Sequence, residues 1–199
     1  MTIKIQDLKT NLDWALYYRS IGWSVFPVKA GDKTPLLKWE KYQTEIASEA
    51  EIKKWWTKVP NASIGIATGK VSGIAVVDVE AGGDTKDLSP TVMVRTGGGG
   101  FHFFYKHPDV LVKNKVRIRE KMDIRGDGGY VVAAPSLHKS GNHYQWVVSP
   151  EDADFDEFPK WILENSAQDD IKKTDWNEFL EAENPEGTRN QQAAAIAGK

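Results

Sequence analysis

The sequence predicts an α+β fold, in which a mostly antiparallel β-sheet core is flanked by helices. The central residues, 63–148, consist of short runs rich in Val, Ile, Phe and Tyr that are separated by Gly or Pro, as is typical of antiparallel strands. Helical patterns precede and follow this region. The length of 199 residues fits one domain with a short appendage.

The first sixty residues are predicted to form two helices with a strand between them. Leucines that recur every four residues predict an amphipathic helix over residues 6–21. Residues 23–29 have the composition of a strand, and the turn-forming residues in 30–45 predict a loop. Ser48 and Glu51 form a capping-box pattern, which predicts the start of a second helix.

The strands and the C-terminal elements follow from the same patterns. Strands are predicted over residues 63–68, 73–80, 91–96, 101–106, 116–125, 130–134 and 143–148. Helical patterning returns over residues 158–165 and 174–183, and the Ala-rich end of the chain has no capping residue. We therefore expect a main domain over residues 1–165, then an acidic linker and the start of a truncated helical domain over 166–199.

Charge is distributed unevenly along the chain. The formal net charge of −2 argues, for the whole chain, against a strongly basic nucleic-acid binder. Residues 1–150, however, carry a net charge of +6, and residues 151–183 carry −9. The basic part suits a polyanionic partner, and the acidic part is expected to be a spacer that could also cover the basic surface.

Composition excludes several classes of protein and site. Cys is absent, so disulfides and thiolate zinc sites are excluded, and any metal must be bound by carboxylate, imidazole or water. No run of about 18 apolar residues occurs, so no membrane-spanning segment is expected. The N-terminus lacks the apolar core of a secretory signal, which leaves the cytoplasm as the expected location.

Two acidic residues share one face of the predicted strand at residues 73–80. Because side chains alternate along a strand, Asp78 and Glu80 lie on the same side, with Cα atoms about 6.5–7 Å apart. That spacing is within reach of one divalent ion or a close pair of ions. A solvated pair of acids on an edge strand explains Asp78 and Glu80 equally well when they are considered alone.

A third carboxylate is predicted on the segment Met122-Asp123-Ile124-Arg125. Its apolar residues alternate with polar ones, so Asp123 emerges from a strand that is apolar on its other face. Asp127 lies between glycines in a predicted turn, where Asp is expected to form local hydrogen bonds. Asp123 is therefore the candidate ligand, and Asp127 is interpreted as a turn residue.

A run of four glycines, 97–100, separates two predicted strands. Such a run lets the backbone approach a ligand closely and offers N–H groups to phosphate oxygens, although a flexible hairpin is the alternative. His102 follows on the face opposite Phe101 and Phe103. A lone His on a strand is more often structural, but its position beside glycines and carboxylates favours a functional role.

Together these residues fit one chemistry, phosphoryl transfer from a nucleotide. Three carboxylates can hold two divalent cations, which lower the pKa of an attacking 3′-hydroxyl and stabilise the leaving pyrophosphate. Such transfer depends mainly on positioning and charge neutralisation, so no nucleophilic side chain is needed.

A basic segment and one tryptophan are candidates for contact with the template. Bases alternate along one predicted strand and could follow a phosphate backbone, although a solvated edge strand guarded by charge is an equal alternative. Trp39, in the polar loop, is the candidate for base stacking, whereas Trp55 and Trp56 are expected in the core. The alternating bases are Lys115, Arg117, Arg119 and Lys121.

These motifs, in this order, resemble the primase-polymerase (prim-pol) domain of the archaeo-eukaryotic primase superfamily, which occurs in plasmid and phage replication proteins. The resemblance rests on Asp-x-Glu, then Gly-x-His, then a third acidic strand that runs into Arg-Gly-Asp-Gly-Gly-Tyr-Val-Val-Ala-Ala-Pro-Ser. Supporting blocks lie at residues 31–35, 65–69 and 136–141. The similarity covers about residues 10–165.

The resemblance implies an RRM-like primase fold and a DNA-directed nucleotidyltransferase, a DNA primase/polymerase, that uses two Mg²⁺ or Mn²⁺ ions. It implies that Asp78, Glu80 and Asp123 bind the ions and are catalytic, and that His102 binds nucleotide phosphates. Gly100 stands where the family often has Ser, so its backbone N–H is expected to replace that hydroxyl. Charge and motif position add three candidate phosphate contacts, Lys33, Arg95 and Arg125.

The implied partners are a single-stranded DNA template with its primer and a dNTP or NTP. Residues 184–190 and the Ala-rich segment after them are similar to the start of the helical domain that often follows a prim-pol domain. In longer relatives a helicase domain lies beyond it in the same chain. The resemblance places such a protein in a bacterial, archaeal or phage-infected cell, with no membrane partner.

Two other functions compete with this one. A non-catalytic module that binds single-stranded DNA or an origin would bind without incorporating nucleotides and would not depend on Asp123. A nicking replication initiator would need a His-x-His metal pair, and the four histidines of the chain form no such pair. We rank that function last.

Overall fold

A computed structural model describes residues 4–165 of the chain. The chain divides into two compact units, Met1–Phe158 and Pro159–Lys199, and residues 160–165 of the second unit are helical, which agrees with the helix predicted over 158–165. The predicted helix at 174–183, the acidic linker and the further helical domain all lie outside the described residues. No helix within the described part has the length and apolar character that crossing a membrane requires.

The first unit contains helices at its start and strands after them. The helices are α1 (Asn11–Ser20) and α2 (Glu49–Lys58), and short 3₁₀ turns occur at Ile5–Asp7 and Glu40–Gln43. The described strands are β1 (Val25–Val28), β2 (Ser63–Ala67), β3 (Ile74–Val79), β4 (Val92–Arg95), β5 (Phe101–Lys106), β6 (Lys115–Arg119), β7 (Met122–Arg125), β8 (Tyr130–Val132), β9 (Gln145–Val148) and β10 (Asp156–Glu157).

Two of these elements differ from the prediction. Helix α1 begins after Thr10 rather than near residue 6, because Thr10 and Asp13 form a capping box that fixes the start. The run at 116–125 is a hairpin of two strands rather than one strand. Its turn includes Lys121 at a φ of 60°, in the left-handed region that tight turns use, and the chain reverses direction there.

The strands form two sheets, and the predicted antiparallel character is confirmed. The larger sheet has the order β6-β7-β3-β5-β4-β9, and the smaller has the order β1-β2-β8. Among the strands of the described residues, the short β10 makes the one parallel pairing, with β5, and an isolated parallel bridge joins Lys113 and Asp127. Strand β3 is therefore central, with β5 and β7 as its antiparallel neighbours.

One face of the larger sheet packs against the smaller sheet and the helices. Val76 and Phe104 lie on this face and belong to one buried cluster with residues of α1, α2 and β2. Phe104 stacks on Trp23, with ring centroids 5.7 Å apart. Trp56 is buried as predicted, and Trp55 packs partly buried against the same cluster. Farther along that face, polar side chains replace apolar ones.

Candidate active site

Three predicted site residues lie side by side on the larger sheet. In the strand register, Asp78 of β3 stands opposite His102 of β5 on one side and opposite Asp123 of β7 on the other. Side chains at directly opposite positions project from the same face about 5 Å apart. The sheet thus brings together residues that are distant in sequence, on the face that the strand alternation predicted.

The Asp123 carboxylate is held by two donors. The Arg125 guanidinium donates to its Oδ2 at 2.7 Å, and the backbone N–H of Arg117 donates to its Oδ1 at 2.8 Å. The same Arg125 nitrogen lies 3.9 Å from Oδ2 of Asp78. Arg125 is therefore the cation that stands between the two aspartates.

His102 is buried beside Asp78. Its side chain is 5% exposed, and its Nε2 lies 3.5 Å from Oδ1 of Asp78. Burial lowers the pKa of His102; Asp78 opposes this effect, and the positive charges of Lys33 and Arg125 add to it. The Nδ1 atom finds no hydrogen-bond partner among the described residues. The ring is thus neutral at pH 7 and retains hydrogen-bonding capacity.

Glu80 lies just beyond the end of β3. Its backbone N–H donates to the carbonyl of Lys121 at 2.9 Å, which fixes the chain at that point. Its side chain is exposed and lines the same cavity as Asp78 and Asp123. The three predicted acids therefore border one cavity, which we call the acidic cavity, of about 350 Å³.

The glycine hairpin between β4 and β5 differs in function from the prediction. The N–H of Gly100 donates to Oγ1 of Thr96 at 3.0 Å, so it is already engaged rather than available for a phosphate. A Cβ on Gly100 would lie 2.2 Å from the carbonyl oxygen of Val79, so glycine is required for the close approach of the hairpin to β3. Thr96, which the sequence did not single out, also lines the acidic cavity.

A second cavity, of about 310 Å³, shares Asp78 and His102 with the acidic cavity. We call it the aromatic cavity, because Trp39, Tyr130 and Tyr144 contribute to its wall. The Trp39 ring stacks on Phe26 at 5.0 Å and meets the edge of Tyr130 at 4.8 Å. Trp39 therefore belongs to a rigid wall next to the acids, and no sequence signal indicated this cluster.

The three predicted phosphate contacts do not all lie on the same face of the larger sheet. Lys33 lines both cavities, and so does Arg125. Arg95 stands opposite Phe101 in the β4–β5 register, whereas His102 stands opposite Val94. Arg95 therefore emerges from the face opposite the acids, because alternation along β4 directs neighbouring side chains to opposite sides.

The predicted row of alternating bases does not form a regular strand face. The β6–β7 register shifts between Lys115 and Arg119, and Arg117 within this bulge has a φ of 52°. Arg119 donates to Asp87 at 2.6 Å. The expectation of one continuous basic face was wrong because the bulge interrupts the alternation, and the same bulge directs the Arg117 N–H to Asp123.

Asp127 is a hydrogen-bonded structural residue, but the partners of its carboxylate lie on distant segments rather than, as predicted, in its own turn. It accepts from the backbone N–H groups of Lys70 at 3.0 Å and Val112 at 2.9 Å, and its Oδ2 lies 2.8 Å from Nε2 of His107. Burial raises the pKa of Asp127, but the hydrogen bonds from Lys70, His107 and Val112 outweigh it and leave the pKa below its usual value.

The acids fit divalent ions by their chemistry, although they are not arranged around one point. Within residues 4–165, no group of three or more His, Asp or Glu side chains converges to hold a metal ion. The Asp123 carboxylate is directed to Arg125 and the bulge instead. The donor set around the acidic cavity nevertheless consists of carboxylate oxygens, which Mg²⁺ and Mn²⁺ prefer.

Comparison with known proteins agrees with this geometry at the level of the family. No curated protein matches the sequence. The model of one family, described as the N-terminal domain of bifunctional DNA primase/polymerase (Prim-Pol), matches residues 15–161. This match includes all of the residues that border the two cavities, and members of the family act as nucleotidyltransferases on DNA and nucleotide substrates. The chain belongs to the Prim-Pol family of bifunctional DNA primases/polymerases.

Proposed function

We propose that this domain is a template-dependent nucleotidyltransferase that synthesises or extends primers from nucleoside triphosphates. The observation that carries the proposal is the alignment of Asp78, His102 and Asp123 across three adjacent strands. Asp78 and His102 border a cavity with aromatic walls and a cavity with cationic groups. A nucleotide is itself divided in this way, into an aromatic base and an anionic phosphate chain.

The different linings of the two cavities favour one orientation of the incoming nucleotide. The base and sugar fit the aromatic cavity, where the Trp39 and Tyr130 rings offer apolar surface for the base. The phosphates fit the acidic cavity, where Lys33 and Arg125 supply positive charge. His102, between the two, is in reach of the phosphate nearest the sugar. The side chain of Thr96 adds a hydroxyl to the same cavity.

Asp78, Glu80 and Asp123 are the side chains that would hold divalent ions in this domain. Bound ions would lower the pKa of the attacking 3′-hydroxyl and neutralise charge on the leaving pyrophosphate. An ion bound by Asp123 would compete with the Arg125 guanidinium for the negative charge of the carboxylate. A guanidinium released from Asp123 remains within the acidic cavity, where it can bind a phosphate oxygen.

The template strand is proposed to follow the basic surface of the β6–β7 hairpin. Lys115 borders the bulge, Arg117 within it is exposed, and Lys121 lies in the turn between β6 and β7. Irregular basic loops bind a flexible single strand through its phosphates, and the binding weakens as salt rises. A role in plasmid or phage replication, next to a helicase domain in a longer chain, is part of the same proposal.

Primer extension tests the assignment of the acids. The 199-residue chain is incubated with a primed template, dNTPs and Mg²⁺ or Mn²⁺. Extension is compared between the wild type, Asp78→Asn/Glu80→Gln and the exposed-surface control Glu49→Gln. The double variant should lose extension while the control retains it, because Glu49 lies on α2. Extension that persists in the double variant would contradict the proposal. Template binding without any incorporation by the wild type would favour a non-catalytic single-strand binding module.

A further inference from the structure

The segment that leads from β5 into β6 carries apolar side chains on the outside of the protein. Among the large apolar residues in the described range 4–165, the three most exposed are Leu111 at 68%, Val116 at 65% and Val110 at 56%. Single exposed apolar residues are ordinary on a protein surface, whereas a cluster of them marks a binding surface. We call the adjacent pair Val110 and Leu111 the aliphatic tip.

The aliphatic tip belongs to a short bend whose two ends are both anchored to Asp127. At one end, Nε2 of His107 lies 2.8 Å from Oδ2 of Asp127. At the other end, the Val112 N–H donates to the same oxygen at 2.9 Å, and the Val112 carbonyl accepts from the Asp127 N–H at 2.7 Å. Val112 and the His107 side chain are buried. The residues between these anchors, 108–111, therefore carry the tip on a fixed base.

The aliphatic tip lies next to the aromatic cavity. Asn114, three residues after Leu111, lines that cavity. Its Nδ2 donates to the Asp127 carbonyl at 2.8 Å, and its Oδ1 accepts from the Gly126 N–H at 2.9 Å, so its position is fixed as well. Three residues of chain span at most about 11 Å, and the Cα atoms of Leu111 and Asn114 are therefore no farther apart than that.

The chain around the aliphatic tip is basic. Residues 106–119 contain five Lys or Arg and a single acid, Asp109, a net charge of +4. The bases that directly follow the tip are Lys113, Lys115 and Arg117. Cationic groups favour a polyanion, and exposed aliphatic groups favour an apolar surface on the same molecule. A single DNA strand offers both, in its phosphates and its base faces, whereas a duplex hides the base faces.

We propose that the aliphatic tip contacts the bases of the template strand and unstacks them beside the aromatic cavity. This role rests on the proposed function, which puts the template on the β6–β7 hairpin. Phosphates bound to the basic residues would bring the bases against Val110 and Leu111, and apolar side chains can wedge between stacked bases. Because the base of the tip is fixed, little conformational entropy is lost on binding. A base released from the stack is free to pair with a nucleotide in the cavity.

Binding of a short single-stranded oligonucleotide to the 199-residue chain, measured by fluorescence anisotropy, tests the proposal without nucleotide or metal ion. Val110→Ser/Leu111→Ser should bind about fivefold more weakly than the wild type, because two apolar contacts with bases are lost. The control Ile21→Ser/Val59→Ser replaces two exposed aliphatic residues at the ends of α1 and α2 and should bind like the wild type. Leu111→Met keeps an apolar side chain and should also bind like the wild type.

Two further measurements separate contact with bases from contact with phosphates. An abasic strand of the same length keeps the phosphates, so the wild type and Val110→Ser/Leu111→Ser should bind it equally. The slope of log affinity against log salt should be the same in these two proteins. In Arg117→Gln, by contrast, the slope should become shallower by about 0.7, because one phosphate contact is lost.

Unstacking is measured with 2-aminopurine in the strand, because its fluorescence rises when it leaves the base stack. Binding to the wild type should raise the fluorescence more than binding to Val110→Ser/Leu111→Ser. Equal fluorescence in the two complexes would overturn the proposal. Thermal unfolding of each variant at the wild-type temperature shows that the fold is intact.

The affinities give the remaining outcomes. Equal affinity of the wild type and the double variant for the strand with bases would overturn the proposal and leave the aliphatic tip to a protein partner. A loss of affinity that is as large for the abasic strand would overturn it too, as would a wild type that binds no single strand.

Primer extension separates a failure of this proposal from a failure of the proposed function. A chain that binds the strand through the aliphatic tip but never extends a primer keeps the base contact and loses the polymerase assignment. A chain that extends primers, with strand binding unaltered in Val110→Ser/Leu111→Ser, keeps the polymerase assignment and loses the base contact.

Discussion

Asp123 and Asp127 lie four residues apart on β7 and the turn after it, and the fold uses them in opposite ways. Asp127 accepts hydrogen bonds from two backbone N–H groups and contacts His107, which are donors that the fold holds in place. Asp123 accepts one backbone N–H and one Arg125 guanidinium. A guanidinium on a flexible side chain can turn to another anion, whereas backbone donors cannot.

In this domain, a structural carboxylate differs from a functional one in whether its hydrogen-bond partners can move. A carboxylate whose partners are all fixed has no capacity left for a ligand, so its contribution is to stability. A carboxylate whose main partner is mobile can exchange that partner for an ion or a substrate. The four predictions below test this division, from the largest expected effect to the smallest.

Asp123→Asn should reduce primer extension by on the order of 10²–10³-fold, because a neutral amide binds a divalent ion much more weakly than a carboxylate, and the ion is needed to neutralise charge in the transition state. Its free energy of unfolding should change by no more than about 1 kcal/mol, since the lost ion pair is partly exposed. Single-nucleotide extension and urea unfolding measure the two quantities. A large loss of stability with little loss of activity would show that Asp123 is a structural carboxylate rather than a functional one.

Asp127→Asn should show the opposite profile. The introduced amide group meets donors rather than acceptors, so the free energy of unfolding should fall by about 2–3 kcal/mol. Extension per folded molecule should stay near the wild-type level, because Asp127 does not border the acidic cavity. Urea unfolding and activity at a low temperature, where the variant is folded, provide the measurements. Loss of activity in the folded variant would place Asp127 among the functional acids.

Arg125→Gln should increase the affinity of the nucleotide-free chain for Mn²⁺ by about fivefold, since it removes the cation that competes for Asp123 and Asp78. Titration of free Mn²⁺ by electron paramagnetic resonance measures this affinity. Lys106→Gln is the matched control, because it also removes a cation from an ion pair, with Glu157, away from the acids. Equal Mn²⁺ affinities in the wild type and Arg125→Gln would show that Arg125 does not compete.

The pH dependence of the free energy of unfolding also tests the structural role of Asp127. Its pKa in the folded chain lies below the usual 3.8, so its stabilisation is present above pH 3.8 and is lost as the pH falls through the lower, folded value. The difference in unfolding free energy between the wild type and Asp127→Asn should therefore be largest near pH 5 and shrink below 3.8. Urea unfolding at a series of pH values follows it. If the difference in unfolding free energy stayed constant down to pH 2.5, the Asp127 carboxylate would not be the source of this stabilisation.

The strand period was sufficient to predict much of this site from sequence. The common side of Asp78 and Glu80, and the position of His102 opposite its aromatic neighbours, depend only on alternation within one strand. Asp123 joins them through the register between β3 and β7. The antiparallel sheets were also predicted from the local pattern of the strands. Local patterns are reliable where each strand is regular and its apolar face is continuous.

The remaining features depend on contacts that no local pattern encodes. In the β6 bulge, Arg117 adopts a left-handed conformation that glycine usually takes. Because no glycine occurs there, the sequence did not indicate a bulge. Gly100 is required by the carbonyl of Val79, which lies on another strand. Arg95 was grouped with phosphate contacts by its position near the glycines, although the β4–β5 register directs it to the other face. His138 lines the acidic cavity through a segment that pairs with the glycine hairpin only in three dimensions.

The engagement of Asp123 by Arg125 and by the bulge has a consequence for how the domain is handled. In many metalloproteins the ligands repel one another without the ion, so that chelation unfolds the chain. Here a guanidinium and a backbone amide already compensate the carboxylate. The chain should therefore fold and melt at nearly the same temperature in EDTA as in Mg²⁺ or Mn²⁺. It could be purified, stored and crystallised free of ions, and the reaction could be started by adding them.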